Sequence, residues 1–370
     1  MNQPSSLLRR APYVVSYWDD DGRLIFDNYA TGRRISADPV ASTVLHFFDR
    51  WRSAKDAARH LSDFTPASVH KTVAALERHA LLVRKSAKDN GHSSALASWQ
   101  RDGWNPAAGF FHLSTKDVPY VDERSAADII GATRTTPRPM PAIVKRYPSA
   151  RVHRLPPIAA AGEYVDVLRA RRTWRRFSRR KISSEQLSSL LKLTFGVQDW
   201  LKLGGGRRAP LKTAPSGGAR HPIEAYVLVK AVEGVAPGIY HYVADRHQLE
   251  LLHRDRRPRR VSRYLPTQVW FDDAAAAVFM TAVFARVQWR YKFARAYRVV
   301  LAESGHLCQN FCLTATWLGL APFCSMALAD SLIEQDLGID GVSESVLYAC
   351  GVGARPTRPG SPGWPDGRSR

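Results

Sequence analysis

The stretch TAPSGGARHPIEAYVLV, Thr213–Val229, decides how this chain is read. A proline, a serine, two adjacent glycines, an arginine and a histidine stand directly before a strand-like run of apolar residues. Paired glycines let the backbone take up positive φ or approach another group closely, so the stretch can hold a flat or charged group against its amides. A plain surface turn is the alternative reading.

Outward from that stretch, the whole chain sets limits. At 370 residues with 45% hydrophobic content it can form more than one domain around a sizeable core. Cys308, Cys312, Cys324 and Cys350 all fall in the C-terminal quarter without a CxxC pair, which argues against a disulfide framework or a zinc ribbon and fits a reducing cytoplasm. His306, Cys308 and Cys312 match no standard ligand spacing, and cysteines inside a helix read as small packing residues, so no metal is expected. The N-terminus lacks an apolar h-region, and no later stretch supplies the roughly 18 uninterrupted apolar residues of a membrane span; a cytoplasmic protein without membrane contact is expected. A net charge of +21 and a pI near 10.2 attract polyanions, acidic peptides or membrane surfaces. Much of that charge is arginine in scattered groups such as RRPRR, Arg256–Arg260, without interleaved aromatics. A solvated basic face and a true anionic partner site both remain open.

In the N-terminal third, DGRLIFDNYATGRRISAD, Asp21–Asp38, alternates around a turn and predicts two short strands. Three helical stretches follow: Pro39–Trp51, Ser53–Leu61 with a capping serine, and Thr65–Val83 with proline in its first turn. This β-β-α-α-α order suits DNA docking, but the last helix offers only His70, Lys71, Arg78 and His79 on its polar face, so nucleic acid is disfavoured. The order also resembles the PqqD-like peptide-recognition domains, in which a leader peptide adds a strand beside the wing. Residues 1–88 are therefore read as a winged-helix-like module, with a purely structural role as the remaining alternative. Residues 89–157 read as a linker, partly packed through Trp99, Trp104 and Phe110–His112; residues 158–356 hold the second domain and 357–370 a disordered tail.

The chemistry concentrates in the second domain. Arg171, Arg172, Thr173 and Arg175 cluster at a helix end, where guanidinium groups and a hydroxyl can grip a phosphate; a surface arginine run is the alternative. Ser183 and Gln186 then have capping-box spacing before an amphipathic helix that ends near Gly196. A second, long helix runs from about Arg298 to Gly319.

RRTWRRF with LTFGV, PSGGARHPIEAYV, GIYHYVADRHQLELL, RAYRVVLAESGHLCQNFCLTATWLGLAPFC and LYACGVGARP, taken in order, resemble the SagB and ThcOx-like azoline dehydrogenase branch of the FMN-dependent nitroreductase superfamily over Tyr164–Pro356. The resemblance implies an α+β fold with a mostly antiparallel sheet flanked by helices, a homodimer, and FMN. It further implies that Arg171, Thr173, Arg175 and Arg355 hold the phosphate. Pro215, Ser216, Gly217 and Gly218 would line the ribityl chain and ring, and the backbone of Phe323, Cys324 and Ser325 would face the ring's N5 edge. Glu303 and His306 belong to the matched motif, as a core pair or at a subunit contact.

Related dehydrogenases place a lysine-tyrosine pair just before the RxYR motif, whereas WRYKFARAYR has Tyr291 and Lys292 in the reverse order. A tyrosine beside a cation can act as base. An aromatic and a solvated cation beside the substrate cleft is the competing reading. The implied activity is oxidation of thiazoline or oxazoline rings in a ribosomally made peptide, alone or in a complex with a cyclodehydratase. An NAD(P)H-dependent nitro- or quinone reductase and a DNA- or partner-binding protein with a sensory or vestigial flavin are the alternatives.

Overall fold

The apolar run after the glycine pair is a strand, Ile223–Val229, buried at every position but Glu224. Burial of both faces puts it inside a sheet rather than at an edge. The computed structural model describes residues 7–85, 92–118, 144–145, 147, 149–157, 160–203, 205–206, 208–255, 257 and 259–356. The expected tail, 357–370, lies outside the described residues. Two units result: Met1–Lys116 with Phe284–Val299, and Asp117–Val283 with Val300–Arg370.

The first unit opens with β1 (Leu8–Arg10), β2 (Val14–Trp18), β3 (Leu24–Asn28) and β4 (Arg33–Ser36). Next come α1 (Val40–Phe47), α2 (Ala54–His60), α3 (Pro66–Arg78) and β5 (Leu82–Arg84). β2, β3 and β4 form an antiparallel meander, while β1 pairs with β5. The helix starts follow side-chain chemistry: Ser53 and Asp56 form a capping box, and the Thr65 hydroxyl accepts the Ser68 amide with Pro66 in the first turn. Phe48, Leu76 and Leu81 sit at the centre of this core.

The stretch read as a partly packed linker contains α4 (His92–Arg101) and α5 (Ala107–Ser114). Trp99 and Trp104 are buried there with their ring centroids 5.3 Å apart, edge to face.

The second unit carries α6 (Glu163–Ala170), α7 (Ser184–Phe195), β6 (Asp199–Lys202), β7 (Arg208–Leu211), β8 (Ile223–Val229), β9 (Gly238–Val243), β10 (Gln248–Arg254) and β11 (Ala276–Val283). After α8 (Phe284–Gln288), which belongs to the first unit, it resumes at Val300 within α9 (Tyr297–Trp317) and continues through β12 (Leu320–Ser325), α10 (Asp330–Leu337) and β13 (Glu344–Ala354). Its main sheet has the order β10-β9-β8-β11-β13-β12, and each neighbouring pair is antiparallel. This is the expected α+β architecture of an antiparallel sheet flanked by helices. Ser183 and Gln186 form the capping box of α7, and Gly319, at φ +71°, follows the end of α9.

Not all of the basic charge is solvated. From the RRPRR run, Arg259 pairs with Asp255 at 2.8 Å and Asp336 at 2.6 Å and donates to the Tyr264 hydroxyl at 2.8 Å, whereas Arg256 and Pro258 lie outside the described residues. No helix among the described residues is long and apolar enough to cross a membrane.

The core of the second unit is tightly specified at one place. Phe323 stacks on Phe271 at 3.8 Å, and a Cβ added at Gly351 would lie 2.1 Å from the Phe323 ring. Both rings are buried, so the ring cannot swing away. Gly351→Ala is expected to lower stability by about 1–3 kcal/mol through overpacking. Urea unfolding measures this, and an unchanged midpoint would contradict it.

Candidate functional site

The turn that links β7 to β8 has an unusual backbone. Gly218 has φ +62°, and two residues with side chains, Ala219 at +53° and His221 at +43°, are also left-handed. A left-handed non-glycine residue costs on the order of 1 kcal/mol or more, so surrounding bonds must hold the turn. Those bonds are present. The Ser216 hydroxyl donates to Glu303 Oε2 at 2.6 Å and accepts the His221 amide at 2.8 Å. His221 Nδ1 lies 3.8 Å from Glu303 Oε1, and its Nε2 is 3.2 Å from the Pro210 carbonyl. Glu303 is 3% exposed, so its carboxyl gives the turn an anchor sheltered from water.

Helix α9 extends the same support. Asn310 Nδ2 donates to Thr213 Oγ1 at 3.2 Å, and Thr213 in turn donates to the Leu193 carbonyl at the end of α7 at 2.6 Å. The Ser216 side chain, expected along a ribityl chain, is thus engaged within the protein. Around it, Pro215, Gly217 and Gly218 contribute backbone.

The arginine cluster docks on the opposite strand of the motif set. The Trp174 amide donates to the Pro322 carbonyl on β12 at 2.9 Å, bringing Arg175 into electrostatic contact with Cys324. Burial pulls the Arg175 guanidinium below its ordinary pKa, because a desolvated cation is disfavoured, and Cys324 opposes that shift. Arg171 and Thr173 are half-buried beside it in sequence. Arg355 stands beside this segment: its Nε donates to the Leu320 carbonyl at 3.0 Å and an Nη to the Thr316 carbonyl at 3.1 Å, with the guanidinium 5.5 Å from the Trp174 ring centre. It therefore closes the C-terminal end of α9. The donor set suits a flavin mononucleotide: guanidinium groups for a phosphate, a desolvated cation that an anion would stabilise, and a rigid glycine turn beside strand backbone. Two clefts open nearby. One of about 450 Å³ is lined by Tyr164, Leu193, Thr213, Leu313 and Trp317, and one of about 470 Å³ by Asp166, Thr316, Trp317 and Arg355.

Arg171, Thr173, Arg175, Pro215–Gly218, Phe323–Ser325 and Arg355 all belong to the second unit, whereas Tyr291 and Lys292 belong to the first. There the turn between α4 and α5 grips them. Trp104 Nε1 donates to the Tyr291 carbonyl at 2.9 Å, Lys292 Nζ lies 3.6 Å from Asp102, and a Cβ at Gly103 would stand 2.8 Å from the Lys292 carbonyl. A cluster of Trp99, Trp104, Phe284 and Tyr297 surrounds this contact, with His112 Nδ1 and the Tyr297 hydroxyl sharing a 2.8 Å hydrogen bond. Asp102, Gly103 and Trp104 carried no motif signal. Their importance shows only in the contact.

Comparison with known proteins gives the site its context. The Nitroreductase family model matches residues 168–354. The Methanocaldococcus jannaschii protein MJ1384, whose name places it among the nitroreductases, is 32% identical over 174 residues, 47% of this chain and 83% of its own. Trifolitoxin-processing protein TfxB of Rhizobium leguminosarum bv. trifolii is 34% identical over 143 residues, 37% of this chain and 38% of TfxB, so less than half of TfxB has a counterpart here. Among solved structures, a chain of the E. coli microcin synthetase McbBCD complex with truncated pro-MccB17 bound aligns at 20% identity and a TM-score of 0.47, covering 73% of this chain and 95% of that one. The motif order, the antiparallel sheet and the match over 168–354 agree: the chain belongs to the nitroreductase family.

Proposed function

We propose that this nitroreductase-family oxidoreductase binds FMN and dehydrogenates a ribosomally made peptide, converting thiazoline or oxazoline rings to thiazole or oxazole. The observation that carries the reading is the left-handed turn at Gly218–His221, locked by Ser216 on the buried Glu303 within a chain of this family. Such strain persists where the surroundings over-determine it, a frequent property of cofactor and active sites. Similarity to a protein named for trifolitoxin processing supports a role in maturation.

In this reading Arg171, Thr173, Arg175 and Arg355 grip the phosphate, and Arg355 also braces the end of α9. The Pro215–Gly218 backbone and the amides of Phe323–Ser325 line the ring. Bound there, FMN supplies a two-electron acceptor. Ring oxidation also requires a proton to leave, and Tyr291, acting as its phenolate, would take it up at Oη, with Lys292 beside it in sequence and oriented by Asp102. The β2-β3-β4 meander leaves β2 and β4 open as edges among the described residues, and β4 presents exposed Arg33 and Arg34; an extended acidic leader segment suits such an edge. Helix α6 buries none of its residues among those described and exposes Tyr164 and Leu168, which supports a second copy covering it in a homodimer. A cyclodehydratase is the expected supplier of the ring.

The direct test incubates the purified protein with a ring-bearing precursor peptide and follows the loss of two hydrogens per ring by mass spectrometry; turnover of simple quinones with no peptide oxidation would overturn the reading. Arg171→Ala with Arg175→Ala is expected to strip the flavin while the chain stays folded, measured as flavin released by heat, and equal occupancy would count against the phosphate assignment. Ser216→Ala removes both the bond to Glu303 and the acceptor of the His221 amide. It should cost about 1–3 kcal/mol in denaturant unfolding and speed flavin loss. Tyr291→Phe should abolish peptide oxidation and leave flavin content unchanged, and full turnover in that variant would remove Tyr291 from the mechanism.

A further inference from the structure

The four cysteines of the chain do not stay apart. Cys308 and Cys312 lie one turn apart on α9, Cys324 lies on β12, and Cys350 on β13 is its direct cross-strand partner. The sulfurs of Cys308, Cys312 and Cys324 all lie within 4.8 Å of one another, and Cys350, wholly buried, interacts with Cys308 and Cys324. All are free thiols. The Tyr348 hydroxyl lies in electrostatic contact with Cys308 and Cys324, and Arg175 with Cys324.

An isolated buried cysteine is a small packing residue. Here sulfurs from three separate elements converge, and a phenol and a guanidinium stand beside them. Polar groups of this kind surround bound thiolates, whose charge they offset. We propose that Cys308, Cys312 and Cys324 form a soft-metal site for Zn(II), with Cys350 as the fourth sulfur. Zinc holds thiolates at about 2.3 Å in a tetrahedron, which sets neighbouring sulfurs roughly 3.8 Å apart, so Cys308, Cys312 and Cys324 need close in by at most about 1 Å. Binding displaces the thiol protons to solvent and involves no change of oxidation state. Cys324 is the half-exposed member and gives the cation its access path. With four protein sulfurs the site has no open position, and its role is structural: it pins α9, which carries Glu303, to β12 and β13.

The test uses the full-length protein, purified under reducing conditions without chelator. Elemental analysis should find about one zinc per chain, and the metal-free, reduced protein titrated with Co(II) should develop a sulfur-to-cobalt charge-transfer band that zinc then displaces. In Cys308→Ala/Cys312→Ala both signals should fall at least about tenfold. Wild-type protein that is folded by circular dichroism yet holds less than about a tenth of an equivalent of zinc and gives no cobalt band overturns the proposal. Undiminished cobalt binding by the double variant, or a disulfide among these cysteines under the same reducing conditions, overturns it as well. The wild-type titration decides the matter even where the variant fails to fold, and it is independent of flavin content.

Discussion

A buried carboxyl holds a turn in a conformation that its own residues resist. Ala219 and His221 adopt left-handed backbone, and the network from Glu303 through the Ser216 hydroxyl to the His221 amide stabilises it by hydrogen bonds in a site shielded from water. Direction follows from that anchor. The chain leaves the turn as β8, enters the interior of the sheet between β9 and β11, and cannot shift by a residue without exchanging the side chains packed on its two covered faces. Helix α9 carries the anchor, supports the preceding loop through Asn310 and is closed at its far end by Arg355. One helix therefore organises the backbone on which the candidate flavin site is built.

The same economy appears in the arginines. A net charge of +21 suggests a broad cationic surface, yet several guanidinium groups are held by named partners. Arg259 meets Asp255 and Asp336, and Arg355 caps carbonyls beside Trp174. Arg175 is half-buried as well, and burial disfavours its charge.

Local chemistry was legible wherever neighbours in sequence are neighbours in space. The capping serines Ser53 and Ser183, the Thr65–Pro66 helix start, the hairpin of β3 and β4 and the glycine after α9 all depend on residues within a few positions. The helices of residues 92–114 were harder to see. Their short apolar faces make sense only around Phe284 and Tyr297, far along the chain, and the turn at Gly103 reveals its purpose only against the Lys292 backbone. The convergence of cysteines was equally hidden, since no spacing rule joins two helical positions to a cross-strand pair.

By itself the sequence determined the class of fold, the order of the motifs and the chemical types available to the site, because these rest on periodicity, turn residues and short patterns. Only the tertiary structure decided which of those groups are engaged. Ser216 faces Glu303 across 87 residues of chain, Arg355 turns to the end of α9, and Trp104 reaches the Tyr291 carbonyl. Such pairings are fixed by how sheet and helices pack, and a bond between distant residues leaves no periodic trace in the chain that forms it.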